Sequence, residues 1–249
     1  MPSLKKKLKI IAIIPCRSGS KGIKDKNILK LFGKPLMYYS IRFAKSCSFI
    51  DRVIVSTDSK KYARIAKKIG AEVPFLRPKK ISGDNSLDID FFKHAINFLK
   101  KKQKYHPDII IQLRPTSPIR KLKIMKKALN ILLRNKDISS VRSISKLPKN
   151  IYKCFFLRKK NVLEPAIKKF KNKNEFFNLP RQNLPNSYFL NGVYEIFRTK
   201  LIKKNMISGK NIYGIVTKEN FDIDTREDLE KIKKEKKIFR DLKKELLRF

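Results

Sequence analysis

Short apolar runs recur in the first half of the chain and predict strands that are buried on both faces. The first run, LKIIAIIPC, is preceded by lysines and reaches Pro15 near its end. Its nearly continuous apolar character is typical of a strand inside a parallel sheet, because a strand with one solvated face would alternate apolar and polar residues. The predicted strands cover residues 8–16, 52–57, 72–76 and 108–113.

Amphipathic stretches between these strands predict helices. Asp58 and Ser59 are N-cap candidates for one of them, and Gly70 would end it. Three helices are predicted here: one that follows Pro35, one over residues 60–69 and one over residues 86–99. The alternation of strands and helices indicates an α/β fold with an open, mostly parallel sheet and right-handed crossovers. Ligands bind such sheets beyond the carboxyl ends of the strands.

The alternation stops near Ser143. Residues 143–190 are rich in Lys, Asn, Pro and Phe and contain only a weak strand pattern at 152–157, so we predict a small lobe or an oligomerisation arm there. Strands are again predicted at residues 191–197 and 212–216, and a helix from Thr225 to the C-terminus. The length of 249 residues favours one large domain, residues 1–249, that carries this lobe.

The net charge complicates this picture. The chain has 62 Lys and Arg against 21 Asp and Glu, a formal net charge of +41. So basic a chain would ordinarily suggest nucleic acid or an anionic membrane as a partner. The lysines recur along almost the whole chain, however, and form no single stripe interleaved with aromatic residues. We therefore expect no specific nucleic acid partner, and keep a non-catalytic nucleic-acid-binding module as a competing hypothesis.

Targeting and metal-binding signals are weak. The apolar start, residues 8–14, is too short for a membrane span, so we predict a cytoplasmic protein without a membrane partner. Three cysteines without metal-ligand spacing predict neither a disulfide framework nor a zinc site. Of the two histidines, His94 falls within a predicted helix and is expected to be structural, and His106 is expected to be solvated.

The candidate phosphate-binding segment is residues 17–27, RSGSKGIKDKN, which directly follow the first predicted strand and are called the basic loop below. Its two glycines allow tight turns that bring backbone N–H groups close to an anion. Arg17, Lys21 and Lys26 could neutralise a triphosphate. The loop matches neither the Walker A pattern nor the G-x-G-x-x-G turn, and spacing alone favours a flexible surface loop equally.

A pair of carboxylates lies near the other end of the chain, in the segment FDIDT. In an extended segment Asp222 and Asp224, called the acidic couplet below, point to the same side while Ile223 faces the core. Such oxygen ligands suit Mg²⁺, which also binds water and phosphate oxygens. Alternatively, Asp224 or Thr225 caps the following helix, and both roles are compatible. To act on one magnesium-bound triphosphate, the acidic couplet and the basic loop must lie next to each other in the folded chain, although more than 190 positions of sequence separate them.

These motifs and several between them resemble the acylneuraminate cytidylyltransferase family in order and spacing over about residues 9–232. The pattern R-x-G-S-K-G-x-x-x-K-N followed by D-I-D-T is the specific combination. The matching segments are residues 11–27, 53–58, 76–78, 113–120, 180–182, 191–192 and 222–225. The resemblance implies a Rossmann-like nucleotidyltransferase fold whose mostly parallel central sheet is flanked by helices. It also implies a homodimer, with residues 143–190 as a small protruding dimerisation element.

By this resemblance the nucleotide substrate is CTP and the cofactor is Mg²⁺. The family's catalytic positions correspond to Arg17, Lys21, Asp222 and Asp224, and the two aspartates would also hold the metal. The nucleotide-binding positions correspond to Arg17, Ser20, Lys21, Lys26, Asn27, Arg77 and Ser86. Within that set Asn27 would contact the ribose, and Arg77 with Ser86 would read cytosine.

The second substrate implied by the resemblance is an acidic nine-carbon sugar. Its anomeric hydroxyl would attack the α-phosphorus of CTP and release pyrophosphate, with a metal-bound hydroxide or one aspartate accepting the proton. The sugar-binding positions correspond to Arg114, Thr116, Ser117, Arg181, Gln182 and Asn191.

Two departures from the family pattern affect the sugar end. Arg114 stands where sialic-acid-activating members often carry Gln. The aromatic residue, Tyr, that usually follows Asn-Gly is displaced after Asn191-Gly192, and Tyr194 and Glu195 occupy that stretch. A cation at that place could bind the substrate's carboxylate or pair with Glu195, and either would change which sugar fits. The alternative acceptors are a legionaminate, a pseudaminate or a Kdo-like sugar. A non-catalytic CTP-dependent regulator is a further alternative.

Overall fold

The computed structural model describes residues 7–171, 173–217, 222–235 and 240. Within these residues ten strands are present: β1 Ile10–Pro15, β2 Lys30–Leu31, β3 Lys34–Pro35, β4 Arg52–Ser56, β5 Ile109–Gln112, β6 Ser140–Lys146, β7 Phe155–Leu157, β8 Leu163–Pro165, β9 Tyr188–Arg198 and β10 Ile212–Val216. The α-helices of the same residues are α1 Leu36–Ser46, α2 Lys60–Ile69, α3 Asp88–Gln103, α4 Leu122–Arg134, α5 Lys200–Lys203 and α6 Arg226–Lys234.

Six strands form the central sheet in the order β10–β6–β9–β5–β1–β4. All neighbouring strands are parallel except β9, which runs antiparallel to both β5 and β6. The predicted α/β class with a mostly parallel sheet is confirmed. Because β1, β4 and β5 are adjacent and parallel, their carboxyl ends lie together at one edge of the sheet.

Helices cover both faces of this sheet. Ala12 and Ile14 of β1 pack in one core cluster with residues of α1, α2 and α4. Ile11 and Ile13 pack in a second cluster with residues of α3 and α5. All four of these β1 side chains are fully buried, as the apolar run predicted.

Local signals located several elements correctly. The Ser59 side chain caps α2 by accepting a hydrogen bond from the Tyr62 backbone N–H at 3.3 Å, and Gly70 ends the helix with a left-handed φ of 102°. α3 begins at Asp88 and extends to Gln103, slightly displaced from the predicted residues 86–99. The prediction of a strand at residues 72–76 is wrong. Only Glu72 pairs there, with β4, and Pro74 two residues later cannot donate to a ladder.

Strands of the central sheet overlap both ends of the predicted lobe, residues 143–190. β6 remains in the central sheet to Lys146 and β9 begins at Tyr188, so residues 147–187 lie between them. In this lobe β7 and β8 form a small antiparallel sheet of their own. Phe156, Leu157 and Leu163 of this sheet are more than half exposed.

The predicted C-terminal helix is present in part: α6 begins after its N-cap Thr225 but ends at Lys234, with Glu235 as the C-cap, so the prediction of one helix running on to the C-terminus is wrong at Glu235. The rest of that prediction, residues 236–239 and 241–249, lies outside the described residues. Among the described helices none combines the length and the apolar character that crossing a bilayer would require.

Candidate active site

A cleft of about 280 Å³ lies at the edge of the sheet where β1, β4 and β5 end. Its walls come from the basic loop, from the segment between β4 and α3, and from the residues that follow β5. The lining residues include Arg17, Ser20, Lys26, Asn27, Arg77, Asp84, Ser86, Asp88, Phe91, Arg114 and Thr116. Six predicted nucleotide-binding residues and two predicted sugar-binding residues thus line one cleft.

The basic loop begins against the neighbouring strand. The Cys16 backbone N–H donates to the Ser56 carbonyl oxygen at 2.9 Å, which continues the pairing of β1 with β4 for one residue. Asn27 is 5% exposed, and its side-chain amide donates to the Arg17 carbonyl oxygen at 2.8 Å. This bond draws the two ends of the loop together and leaves Arg17 and Lys26 on the same wall of the cleft.

The acidic couplet meets the basic loop. Lys26 Nζ lies 2.7 Å from Asp224 Oδ1, across 198 positions of sequence. Gly22 approaches the same segment so closely that a Cβ atom there would lie 2.8 Å from the Asp224 carbonyl oxygen. The Ile223 backbone N–H donates to the Thr116 carbonyl oxygen at 2.9 Å and its side chain is buried. The spatial meeting expected from the sequence is therefore present.

The two carboxylates of the couplet have different surroundings. Asp222 is half-buried, and burial raises the pKa of its carboxyl, while a hydrogen bond from Thr116 opposes that shift. Its Oδ1 has no hydrogen-bond partner among the described residues. The Asp224 side chain is 66% exposed. Thr225, and not Asp224, caps α6, in a capping box with Asp228, so the cap uses neither carboxylate of the couplet, and Asp224 pairs with Lys26 instead.

Across the cleft mouth, Asp84 contacts two cations of the basic loop. Arg17 Nη1 lies 2.7 Å from Asp84 Oδ1, and Lys21 Nζ lies 2.8 Å from Asp84 Oδ2. These contacts hold the pKa of the Asp84 carboxyl below its usual range, Lys21 contributing first and Arg17 second. Lys21 itself does not line the cleft but reaches its mouth through this pair.

Arg77 forms part of the cleft floor. Its guanidinium donates to Ser56 Oγ at 3.1 Å and to the Ser56 carbonyl oxygen at 2.8 Å, and it lies 4.7 Å from the centre of the Phe91 ring. Burial lowers the pKa of Arg77. The neighbouring Ser86 closes a turn through a backbone bond to Gly83 and also lines the cleft. His94 packs its ring edge-on against Phe75, in agreement with a structural role.

Arg114 is paired with two carboxylates. Its guanidinium donates to Asp88 Oδ2 and, at 3.1 Å, to Glu195 Oε1. Glu195 is 2% exposed and also pairs with Arg142 at 3.0 Å. Of the two partners that the sequence left open for Arg114, the structure contains the pair with Glu195. The second carboxylate, Asp88, also accepts from Gln112 at 3.1 Å.

The remaining residues after β5 are buried. Ser117 is 1% exposed, and its Oγ has no partner among the described residues. Arg120 donates to the carbonyl oxygens of Val193 and Arg114 and to Ser40 Oγ, at 2.8 to 3.0 Å. Burial lowers the pKa of Arg120 to about 10. These bonds fix the turn that carries Arg114 and Thr116 into the cleft.

Four predicted sugar-binding residues do not line the cleft: the buried Ser117 described above and three residues farther along the chain. Arg181 and Gln182 are exposed in a short 3₁₀ helix of the lobe. Asn191 is 4% exposed, and its side-chain nitrogen donates to Ser145 Oγ and Thr217 Oγ1, each at 2.7 Å. In this structure Asn191 therefore joins β9 to β6 and to the end of β10, and its role toward a sugar stays a prediction.

The sequence reasoning missed the acidic residues of the cleft. Asp84 and Asp88 both line it, although no role was assigned to either. A usable signal existed, because only 21 acidic residues occur in the chain and these two flank Ser86, which the family resemblance singled out. Asp58, which follows β4, was considered only as a helix cap. Its carboxylate accepts two hydrogen bonds from Ser18 of the basic loop, each at 2.8 Å.

Known proteins share both the sequence and the fold. A family model described as cytidylyltransferase matches residues 11–247. The N-acylneuraminate cytidylyltransferase of Escherichia coli is 43% identical over 112 residues, which are 45% of this chain and 25% of that protein. The pseudaminic acid cytidylyltransferase of Campylobacter jejuni is 29% identical over 227 residues, 90% of this chain and 94% of that protein. The chain thus matches only a quarter of the length of the E. coli relative.

A solved structure gives the same architecture. The CMP:2-keto-3-deoxy-manno-octonic acid synthetase, solved in complex with CTP, has a TM-score of 0.65 at 16% sequence identity. The match covers 90% of this chain and 97% of that one. At this identity the likeness shows the fold, and it confirms the nucleotidyltransferase architecture expected from the sequence.

Proposed function

The chain belongs to the cytidylyltransferase family, and on that premise we propose that it transfers CMP from CTP to the anomeric hydroxyl of an N-acylneuraminate or a related nonulosonate. One observation carries the proposal most directly: the acidic couplet meets the basic loop beside the cleft, where Lys26, which lines the cleft, lies 2.7 Å from Asp224, which does not. A triphosphate needs cations for its oxygens and carboxylates for its metal ion, and this place offers both.

The nucleotide is bound through the end of the cleft next to the basic loop. Arg17, Lys21 and Lys26 supply positive charge to the phosphates, at on the order of 1.5 to 3 kcal/mol for each charge-assisted contact. Asn27 holds the loop closed and faces the ribose. Arg77 is fixed on Ser56 and stacked on Phe91, so it presents a rigid donor to the base.

The acidic couplet fits a magnesium ion. Asp222 has a buried carboxylate oxygen without a hydrogen-bond partner among the described residues, and the Asp224 carboxylate is exposed beside the loop. No group of three or more His, Cys, Asp or Glu suited to a metal occurs in the described part of the chain. Two hard oxygen ligands match Mg²⁺, which keeps water and substrate phosphate oxygens in its shell. When bound, the ion neutralises charge on the phosphoryl oxygens.

The transfer is an in-line displacement at the α-phosphorus. The anomeric oxygen forms the new P–O bond, the bond to the bridging oxygen of the β-phosphate breaks, and pyrophosphate leaves with that electron pair. The proton of the hydroxyl leaves to solvent or to a carboxylate of the couplet. Positioning and charge compensation account for most of the catalysis in such reactions, so the chain's main tasks are to align CTP and to offset its charge.

The acceptor sugar binds on the side of the cleft next to Arg114 and Thr116. The pairs of Arg114 with Asp88 and Glu195 make this wall polar and close to neutral. The relatives that match this chain carry the names of an N-acylneuraminate and a pseudaminic acid enzyme, and the pseudaminic acid enzyme matches over nearly its full length. A pseudaminate or legionaminate is therefore the second candidate acceptor.

Purified protein incubated with CTP, Mg²⁺ and a panel of acidic sugars tests both candidates through pyrophosphate release. We expect turnover with at least one nine-carbon sugar and its loss when EDTA removes the metal. Turnover with a Kdo-like sugar alone would reassign the acceptor. Tight nucleic acid binding with a steep salt dependence and no pyrophosphate release would favour the binding module instead. CTP binding without turnover of any sugar would favour the regulator.

The oligomeric state and the location of the protein remain part of the proposal. We propose a homodimer formed through the lobe, since Leu157 and Leu163 of its small sheet are 67% and 59% exposed. The substitution Leu157→Lys should convert the dimer to monomer in light scattering, whereas Lys101→Glu, at an exposed position of α3 outside the lobe, should leave the mass unchanged. A monomeric wild-type protein at micromolar concentration would contradict this. A cytoplasmic location accords with CTP as substrate.

A further inference from the structure

The basic loop is held at two points by the segment that follows β4. At its start, Ser18 donates its backbone N–H and its hydroxyl to the Asp58 carboxylate, each at 2.8 Å. Near its end, the Tyr62 hydroxyl donates to Asp25 Oδ1, also at 2.8 Å. Asp58 lies two residues after the end of β4, and Tyr62 lies in the first turn of α2. One continuous stretch of chain therefore contacts both ends of the loop.

The backbone of Asp25 is in an unfavourable conformation. Its φ of 56° and ψ of 28° lie in the left-handed region, which residues with a Cβ atom rarely adopt, although Asp and Asn tolerate it better than most. The short 3₁₀ helix Lys26–Ile28 begins at the next residue. The directions of Lys26 toward Asp224 and of Asn27 toward Arg17 therefore depend on Asp25 keeping this conformation.

Tyr62 is a fixed point for the Asp25 side chain. Tyr62 is 1% exposed and packs in the core against the sheet, so this packing sets the position of its hydroxyl. The other contact of Asp25 is Lys61 Nζ at 3.3 Å, on a lysine side chain that is 59% exposed. The hydrogen bond from Tyr62 is the main cause that holds the pKa of the Asp25 carboxyl below its usual value.

We propose that Tyr62 is a positioning residue for the nucleotide: by holding Asp25 it sets the path of the basic loop and so places Lys26 and Asn27 for CTP. This inference rests on the proposed cytidylyltransferase function. Tyr62 lies outside the set of residues that line the cleft, so it acts through the loop and not by contact with substrate.

The substitution Tyr62→Phe removes the hydroxyl and keeps the buried ring. We expect kcat/KM for CTP to fall about 10- to 30-fold, because loss of a hydrogen bond to a charged group loosens the loop. The CTP dissociation constant in titration calorimetry should rise by a similar factor. The melting temperature should change little, since the Asp25 side chain is 42% exposed and water can replace the lost partner. Tyr105→Phe is the matched control, because the Tyr105 hydroxyl has no partner among the described residues.

A rescue experiment separates positioning from general damage to the fold. Glycine adopts the left-handed region without strain and needs no partner to stay there. Asp25→Gly should therefore stay within about threefold of wild type, and Tyr62→Phe combined with Asp25→Gly should recover to the same level. Asp25→Ala should be as impaired as Tyr62→Phe, because alanine has the strain without the hydrogen bond. A double variant as impaired as Tyr62→Phe alone would overturn the inference.

Hydrogen exchange of residues 17–27 gives a readout that does not depend on activity. Exchange should be faster in Tyr62→Phe than in wild type and unchanged in Tyr105→Phe. Unchanged exchange together with unchanged CTP kinetics would overturn the role of Tyr62 and leave the proposed function standing. Faster exchange in a protein whose wild type neither binds nor turns over CTP would refute the proposed function while the Tyr62 contact with the loop stood.

Discussion

Two groups of ion pairs lie at the same edge of the sheet and differ in their most exposed and most buried members, although the Arg17–Asp84 and Arg114–Asp88 pairs are alike at 31% and 34% against 33% and 28% exposed. The outer group comprises Arg17, Lys21, Lys26, Asp84 and Asp224, and the Lys21 and Asp224 side chains are 83% and 66% exposed. The inner group comprises Asp88, Arg114, Arg142 and Glu195, and the Glu195 side chain is 2% exposed.

This difference in exposure indicates which ion pairs are suited to bind substrate and which are suited to stabilise the fold. Exposed pairs stabilise a fold by only about 0 to 1 kcal/mol, so an incoming phosphate or metal ion can replace one partner at little cost. Removing one member of a buried pair typically costs about 3 to 5 kcal/mol, because the other charge is left without compensation. The outer group is therefore suited to exchange partners with substrate, and the inner group to keep the wall of the cleft in place.

The largest effect is expected when a carboxylate of the outer group is removed, and it should appear in activity and not in stability. If Asp224 holds the proposed magnesium ion, Asp224→Ala should lower kcat for CMP-sugar formation at least about 1,000-fold, equivalent to about 4 kcal/mol of barrier. The free energy of unfolding in urea should change by less than about 1 kcal/mol, because the Asp224 side chain is 66% exposed although its partner Lys26 is 15% exposed. Glu230→Ala on α6 is the control for an exposed carboxylate outside the cleft. Full activity of Asp224→Ala with Mg²⁺ would remove the metal site.

The next effect is on stability and concerns the inner group. Glu195→Gln leaves Arg114 and Arg142 without the carboxylate between them and should lower the free energy of unfolding by about 3 kcal/mol. Glu164→Gln is the matched control, since that carboxylate pairs with an exposed arginine in the lobe. Its cost should stay below about 0.5 kcal/mol. Equal costs for the two variants would show that burial does not distinguish these pairs.

A smaller effect should appear on specificity. Arg114→Gln removes the cation shared by Asp88 and Glu195, while Arg142 still compensates Glu195. We expect a loss of about 1 to 2 kcal/mol in stability and a change of about tenfold or more in the ratio of kcat/KM between two acceptor sugars. The sugar panel described above measures this ratio. An unchanged ratio would mean that this wall does not select the sugar.

The smallest effect is expected at the mouth of the cleft. Asp84 holds Arg17 and Lys21, and so competes with phosphate for both cations. Asp84→Asn should lower KM for CTP about two- to fivefold, or by less than about 1 kcal/mol. Asp137→Asn changes the net charge equally at an exposed position that does not line the cleft. A rise in KM for Asp84→Asn would instead make Asp84 part of the nucleotide site.

Helix boundaries could be predicted from the sequence where a typical capping residue marks them. Ser59 and Gly70 delimit α2, and Thr225 with Asp228 begins α6, as the capping patterns indicated. α4 was missed although its pattern was readable: Met125, Ala128, Leu129 and Leu132 are buried at helical spacing.

Features that depend on distant pairing could not be predicted in the same way. β9 lies antiparallel between β5 and β6, and its pairing with β5 joins residues that are 83 to 89 positions apart, from Gln112 with Glu195 to Ile109 with Arg198. No local pattern encodes that choice, since the apolar run of a buried strand is the same in either direction.

The candidate site was partly predictable for a similar reason. The cations of the basic loop were found because a motif places them in one short segment. Their carboxylate partner Asp84, which contacts Arg17 and Lys21, lies more than 60 positions farther along the chain. The list of possible partners could be written from the sequence, but the pair that forms is decided by the path of the segment between β4 and α3.

The position of the acidic couplet in the chain has a consequence for biosynthesis. The six central-sheet strands that the structure describes are complete once residue 216 has been made, and the couplet follows only at residues 222 and 224. On the ribosome, a nascent chain therefore possesses these strands before it possesses the carboxylates of the proposed metal site. A polypeptide that ended between these points would still carry Arg17, Lys21 and Lys26 but would lack both aspartates of the couplet.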